Sequence, residues 1–134
     1  MSDTIEREIT IDAPVERVWE LITTAEHVGR WFGDAGAEID LRPGGALTVR
    51  WEDHGTVDGV VERVEPTTFF SYRWRQADAG ATLVEFTLTD TGGGGTRLHV
   101  RESGFGTRQA LYDSHATGWG IELGHLADSA RARV

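Results

Sequence analysis

From Ala37 to Ser103 apolar and polar side chains alternate in segment after segment, and from Thr107 to about Ala132 the period lengthens to that of one helix without proline. That switch constrains the fold more than any other feature. Period two marks strands with one buried face, and period 3.6 marks a helix with one buried stripe. Leu47, Val49 and Trp51 alternate in one segment; Phe70, Tyr72 and Trp74 in another; Val84, Phe86 and Leu88 in a third; Leu98 and Val100 in the last. Arg42-Pro43-Gly44-Gly45, Asp53-His54-Gly55, Glu65-Pro66 and Gly92–Gly95 separate them with turn residues. In the tail, Leu111, His115, Trp119, Leu123, Leu126 and Ala130 fall on one broad stripe. Its Gly118, Gly120 and Gly124 each cost about 1 kcal/mol against Ala in a helix interior. Gly118 and Gly120 predict either a close approach of the helix to the sheet or room left for a ligand.

Ahead of these segments, Glu6 to Ile11 reads as a short strand and Asp12-Ala13-Pro14 as its stop, with Pro suited to the first turn of a helix. Val15, Val18, Leu21 and Ile22 recur at helical spacing with Trp19 at the stripe's edge, and a second short helix runs from Ala25 towards Trp31 and Phe32. Ala37 to Leu41 opens the strand region. The order is therefore a strand, two helices, six antiparallel strands and one long helix, in a single domain over residues 1–134. This is α+β architecture: a curved antiparallel sheet wrapped round the C-terminal helix, with the two short helices plugging one end. Few side chains reach across such a curl, so a cavity is expected between helix and sheet.

Composition narrows the function classes. The net charge of −9 argues against nucleic acid, whose phosphates demand a basic footprint. With no Cys, disulfides and Cys-based zinc or redox sites are excluded. The start of the chain lacks an apolar run, and no stretch approaches the roughly 20 apolar residues of a membrane span. A cytoplasmic address without membrane insertion is expected. His27, His54, His99, His115 and His125 show no paired metal-ligand spacing, Gly92–Gly95 lacks the Lys-Ser/Thr of a phosphate loop, and Ser103-Gly104 lacks the Gly of a nucleophile elbow. We therefore expect neither a metal nor a cofactor.

The aromatic set is the better clue to function. Trp31, Phe32, Trp51, Phe70, Tyr72, Trp74, Phe86, Phe105, Tyr112 and Trp119 are more than a small core usually needs. Any one of them taken alone is core packing; as a set they suit a flat apolar or aromatic ligand, faced from the helix by Leu111, His115 and Trp119. Tyr72, Tyr112, His115 and Glu102 supply polar handles. Glu102 ends the last strand at the turn into the long helix. Pointing inward, it becomes an acid, a base or a ligand anchor; the preferred reading is the plainer one, that it satisfies backbone N–H groups of the Ser103–Gly106 turn. His115 can hydrogen-bond a ligand or Glu102, although a lone His on an apolar face more often serves packing. Glu85, Arg73 and Arg75 fall out of phase with the apolar face and read as solvated. Asp53-His54, beside Trp51, is placed at the surface, with a rim position as the alternative.

Several segments in order also match a known family. They are Ile11-Asp12-Ala13-Pro14 with Val18-Trp19, Arg30-Trp31-Phe32, Asp40-Leu41-Arg42-Pro43-Gly44-Gly45, Val64-Glu65-Pro66 before the strand ending at Trp74, Thr82-Leu83-Val84-Glu85-Phe86, Glu102-Ser103-Gly104-Phe105 and Gly118-Trp119. Over nearly its whole length the chain resembles the bacterial branch of the Hsp90 ATPase activator homologue 1-like proteins, in the START/Bet v 1-like (SRPBCC) superfamily. The resemblance implies the helix-grip fold and a hydrophobic cavity. It implies less about activity, because the superfamily includes lipid carriers, hormone receptors, polyketide cyclases and enzyme subunits. Members often carry Asn where this chain has His115.

The expected function is binding of a small hydrophobic molecule, aromatic or lipid-like, between sheet and last helix, without catalysis. The rivals are a cyclase- or hydratase-type enzyme using Glu102 or His115 as its acid–base group, and a chaperone- or regulator-associated interaction module. A homodimer is the commonest assembly of small soluble proteins and is the expectation should the chain self-associate.

Overall fold

A computed structural model of the protein describes residues 4–53, 55–76 and 80–131. The strands are β1 (Thr4–Ile11), β2 (Ala37–Ile39), β3 (Ala46–Trp51), β4 (Gly55–Glu65), β5 (Phe69–Gln76), β6 (Gly80–Asp90) and β7 (Thr96–Ser103). Helices α1 (Val15–Thr23) and α2 (Ala25–Trp31) follow β1, and α3 (Gln109–Arg131) ends the described chain. Alternation forces the strands to pair with their apolar phases aligned, and the result is a seven-stranded sheet in the order β1-β7-β6-β5-β4-β3-β2. Every pairing is antiparallel. Since β1 pairs with β7, from Thr4↔Ser103 to Ile11↔Thr96, α1 and α2 carry the chain from one edge of the sheet to the other.

The strands end where their turn residues dictate. β2 stops at Ile39, two residues short of the expected Leu41, because the chain folds back on itself from Asp40. The Asp40 N–H reaches Ala46 O at 2.8 Å and the Gly45 N–H reaches Arg42 O at 2.8 Å. Gly44 sits at φ +86°, and a Cβ on Gly45 would lie 2.0 Å from Asp40 O, so both positions require glycine. In β4 the register shifts between Val61 and Arg63, a bulge that adds twist and helps the sheet curl.

One face of the sheet is the core. Leu47 and Val49 of β3, Phe70, Tyr72 and Trp74 of β5, Val84, Phe86 and Leu88 of β6, and Leu98 and Val100 of β7 are all buried. α1 adds Val18, Leu21 and Ile22, and α2 adds Val28 and Trp31, whose Nε1 donates to Leu21 O at 2.6 Å. The expected stripe of α3 is present: Trp119, Leu123, Leu126 and Ala130 are buried, with Leu111 and His115 half-buried. On the opposite face Arg73 pairs with Glu62 at 3.3 Å and Arg101 with Glu85 at 3.2 Å, in keeping with their polar phase.

The glycines of α3 correct one expectation. A Cβ at Gly118, Gly120 or Gly124 would meet nothing within 4 Å, so none of them serves a close approach of helix to sheet. α3 runs near β1, α1 and α2, and over the middle of the sheet it reaches across with side chains, Trp119 meeting Phe86 edge to face at 5.9 Å. That tilt leaves space on the β3–β5 side.

Candidate functional site

The space is a cleft of about 520 Å³ between α3 and the far strands. α3 contributes Ser114, His115, Thr117, Gly118, Trp119, Ile121 and Glu122; Trp51, Val57 and Trp74 come from β3, β4 and β5; Phe32, Asp34 and Asp53 come from loops, and Glu102 from the end of β7. Its volume falls within the roughly 300–1,000 Å³ of small-molecule sites.

Four rings wall it. Phe32 stacks on Trp119 at 5.5 Å with the planes 13° apart, meets Trp51 edge to face at 5.3 Å, and lies 5.7 Å from Trp74. Trp51 and Trp74 are themselves edge to face at 6.0 Å, and Trp51 is fixed by its Nε1–H to Phe32 O at 2.7 Å. The loop bearing Phe32 is held against β3 through Gly33. The Asp34 N–H bonds Arg50 O at 3.1 Å, and a Cβ on Gly33 would lie 2.7 Å from that same oxygen.

Glu102 corrects the preferred sequence reading. It continues the inward phase of Thr96, Leu98 and Val100 and is 1% exposed, so it does not serve the Ser103–Gly106 turn. Its carboxylate takes three side-chain donors: Thr82 Oγ1 at 2.6 Å, His115 Nδ1 at 2.9 Å and Trp119 Nε1 at 2.9 Å. A buried carboxylate is tolerated when donors replace its water in this way. With Nδ1 facing Glu102, the remaining ring nitrogen, Nε2, has no hydrogen-bond partner among the described residues. Phe105, edge to face with the imidazole at 5.4 Å, backs the ring. Tyr72, across Val84 from Glu102 in the strand register, has its phenol pushed well above the usual tyrosine value, first by burial and then by the Glu102 charge.

Glu122 is a second acid in the cleft. Its pKa is raised to about 7, chiefly by burial; His125 opposes the shift and Asp34 adds to it. Its Oε1 lies 3.3 Å from His125 Nδ1, whereas its Oε2 is buried with no hydrogen-bond partner among the described residues.

Of the residues singled out from the sequence, the fold brings Phe32, Trp51, Trp74, Glu102, His115 and Trp119 together on the cleft. It places Trp31, Phe70, Tyr72 and Phe86 elsewhere, round a separate void of about 10 Å³, room for about one water. Phe105 is buried behind His115, Tyr112 donates to Thr4 O at 3.3 Å, and Leu111 packs on the core, so these three are also off the cleft wall. Trp31 falls on the buried side of α2 with Val28, and Phe32, the C-cap residue that follows, packs its ring 5.2 Å from Trp31 and reaches from the void to the cleft. Asp53 is exposed at the cleft and so occupies the rim position; His54 lies outside the described residues. Glu122 was missed although its spacing from His115 and Trp119, seven and three residues, puts it on their face of the helix. Asp34 gave no sequence signal.

A long helix gripped by a curved antiparallel sheet, with a cleft beneath it, defines a helix-grip protein. The chain belongs to the Activator of Hsp90 ATPase homolog 1-like protein family, whose model matches residues 12–130. No curated protein matches the chain significantly. Among solved structures it is similar to protein MLL2253 from Mesorhizobium loti, at 28% identity, TM-score 0.86, and coverage of 98% of this chain and 99% of that one. It is also similar to DynU16, a putative protein in the dynemicin biosynthetic locus, at 27% identity and TM-score 0.84, over 98% of this chain but 48% of that one. The Aha1 dimer from Colwellia psychrerythraea shares the fold, at 19% identity, TM-score 0.82 and 96% of each chain. No helix among the described residues is long and apolar enough to cross a membrane.

Proposed function

We propose that the protein binds a small, largely apolar molecule, with a flat or aromatic body, in the cleft between α3 and strands β3–β5. The observation that carries this reading is the cleft of about 520 Å³ walled by Phe32, Trp51, Trp74 and Trp119. Such walls favour a ring-bearing guest by burial, at roughly 25 cal/mol per Å² of apolar surface, and by stacking. The His115 Nε2 orients the guest from the floor. The place of DynU16 in a biosynthetic locus supports a small molecule over a protein partner. A docking module needs a broad apolar patch; among the described residues the exposed large hydrophobics are Leu41, Val60 and Ile121 alone, and Ile121 lines the cleft itself. The test is a titration with naphthalen-2-ol followed by quenching of tryptophan fluorescence. Saturable quenching that weakens about tenfold or more in Gly118→Leu, which fills the cleft, is the expected result. Quenching indifferent to Gly118→Leu rejects the site.

The Glu102–His115 pair favours a second reading, acid–base turnover of the bound molecule. A buried carboxylate that fixes Nδ1 leaves Nε2 to take or give a proton, the division of labour of a general base and its orienting group. Mass analysis of a native ligand recovered after incubation separates the two: a molecule changed by the parent and unchanged by His115→Gln is a substrate, and one returned intact by both is cargo.

A further inference from the structure

We propose that the molecule this cleft takes is a cation, an ammonium or quaternary amine joined to an apolar ring-sized body. The inference rests on the cleft being a ligand site and adds the charge of its guest. Among the described residues, every formally charged one lining the cleft is a carboxylate, namely Asp34, Asp53, Glu102 and Glu122, with no Arg, in a chain with 13 basic residues. These acids are not equivalent. Glu102 is saturated by Thr82, His115 and Trp119 and faces its own protein. Asp34 accepts the Glu52 N–H at 2.7 Å through one oxygen. Glu122 is the incomplete one: the residue lines the cleft, and among the described residues its buried Oε2 has no donor. A buried carboxylate oxygen without a partner calls for a donor, and an ammonium N–H supplies both the hydrogen bond and the opposite charge.

The rings opposite suit the same guest. Trp51 stands at 77° to Phe32 and at 78° to Trp74, so aromatic walls meet at near right angles, an arrangement that surrounds a cation from more than one side. Cation–π attraction favours Trp above other rings, and aromatic cages are a recurrent way of holding alkylammonium groups. A metal ion is the other cation to weigh. Among the described residues no three His, Asp or Glu side chains lie close enough together to hold one, which leaves an organic cation. The net charge of −9 adds long-range attraction of the same sign.

The test compares three probes of one shape by calorimetry: 1-naphthylmethylamine, 1-naphthalenemethanol and 1-naphthoate. The amine is expected to bind about tenfold tighter than the alcohol, with the naphthoate weakest. The advantage of the amine should shrink to about threefold or less in Glu122→Gln and in Asp34→Asn, which keep shape and remove charge, while alcohol binding stays as it was. An alcohol or naphthoate that binds as tightly as the amine, with Gly118→Leu still abolishing it, overturns the charge inference and leaves the cleft as a site. Absence of binding by all three overturns both.

Discussion

His115 Nδ1 lies 2.9 Å from each carboxylate oxygen of Glu102, joining the last strand to the last helix across 13 residues of chain. Thr82 and Trp119 complete the same carboxylate. One acidic side chain in the apolar register of β7 thus anchors α3 at the floor of the cleft and sets the orientation of the imidazole there.

Removing that anchor should be costly. Glu102→Ala leaves the His115 and Trp119 N–H groups without their acceptor and Thr82 with only its longer bond to Trp74 O at 3.5 Å. It is expected to lower stability by about 3 kcal/mol, and Glu102→Gln by about 1–2 kcal/mol because one oxygen remains. Urea unfolding measures both, and a loss under 1 kcal/mol in the alanine variant contradicts the anchoring role. In Glu102→Gln the Tyr72 phenol should titrate lower than in the parent yet still above the usual tyrosine value, since burial is the larger cause of its shift. Absorbance at alkaline pH reads this directly.

The helical glycines separate stability from binding. Gly120→Ala and Gly124→Ala add a methyl where nothing lies within 4 Å, so each should stabilise by about 1 kcal/mol with binding unchanged. Gly118→Ala should stabilise similarly and weaken binding, because Gly118 lines the cleft. Equal effects of all three on binding would contradict the placement of Gly118.

Glu122 sets a pH dependence. Its pKa, raised to about 7 from an unfolded value near 4.5, means that the folded state prefers the protonated acid. The stability this contributes is complete below about pH 4.5 and is lost as pH rises through about 7. Glu122→Gln should therefore be more stable than the parent at pH 8 by about 1 kcal/mol, a figure reduced from the full shift because the cleft is open to solvent, with the difference vanishing near pH 4. Thermal melts across that range decide it; a parent more stable than the variant at pH 8 reverses the sign.

The same group couples to the guest. Asp34, Asp53, Glu102, His115 and His125 also line the cleft or touch Glu122. A cationic probe favours ionised Glu122, so amine affinity should rise between pH 6 and 8 with release of a proton, while the neutral alcohol stays flat. Calorimetry in two buffers of different ionisation heat counts the proton.

Gly33 tests how the wall is built. Gly33→Ala drives a methyl to within 2.7 Å of Arg50 O, which displaces the loop carrying Phe32 and Asp34. Weakened binding with the far-ultraviolet spectrum preserved is expected, and unchanged affinity would show that Phe32 does not depend on that contact.

The amino-acid sequence by itself determined the strands, the long helix and the inward stripe of α3, because each follows from a local period that needs no partner to be read. The inward phase of Glu102 was present in that same alternation, Thr96, Leu98, Val100, Glu102, and its pairing with His115 was one of the readings open to it. Only the tertiary structure decided which aromatics face the cleft. Trp31 and Phe32 are neighbours in sequence, and the exit of the chain from α2 sends one to the core and the other to the wall. Phe70, Tyr72 and Phe86 share the face of Trp74 but fill the interior, because Ile22 of α1 and Val28 and Trp31 of α2 close over them, whereas Trp74 lies further along β5 beside Trp51. Asp34 reaches Glu122 across 88 residues of chain, a distance over which no periodicity carries information. Local periods specify faces; the closing of those faces on one another, which buries one acid complete and leaves another short of a donor, is a property of the folded whole.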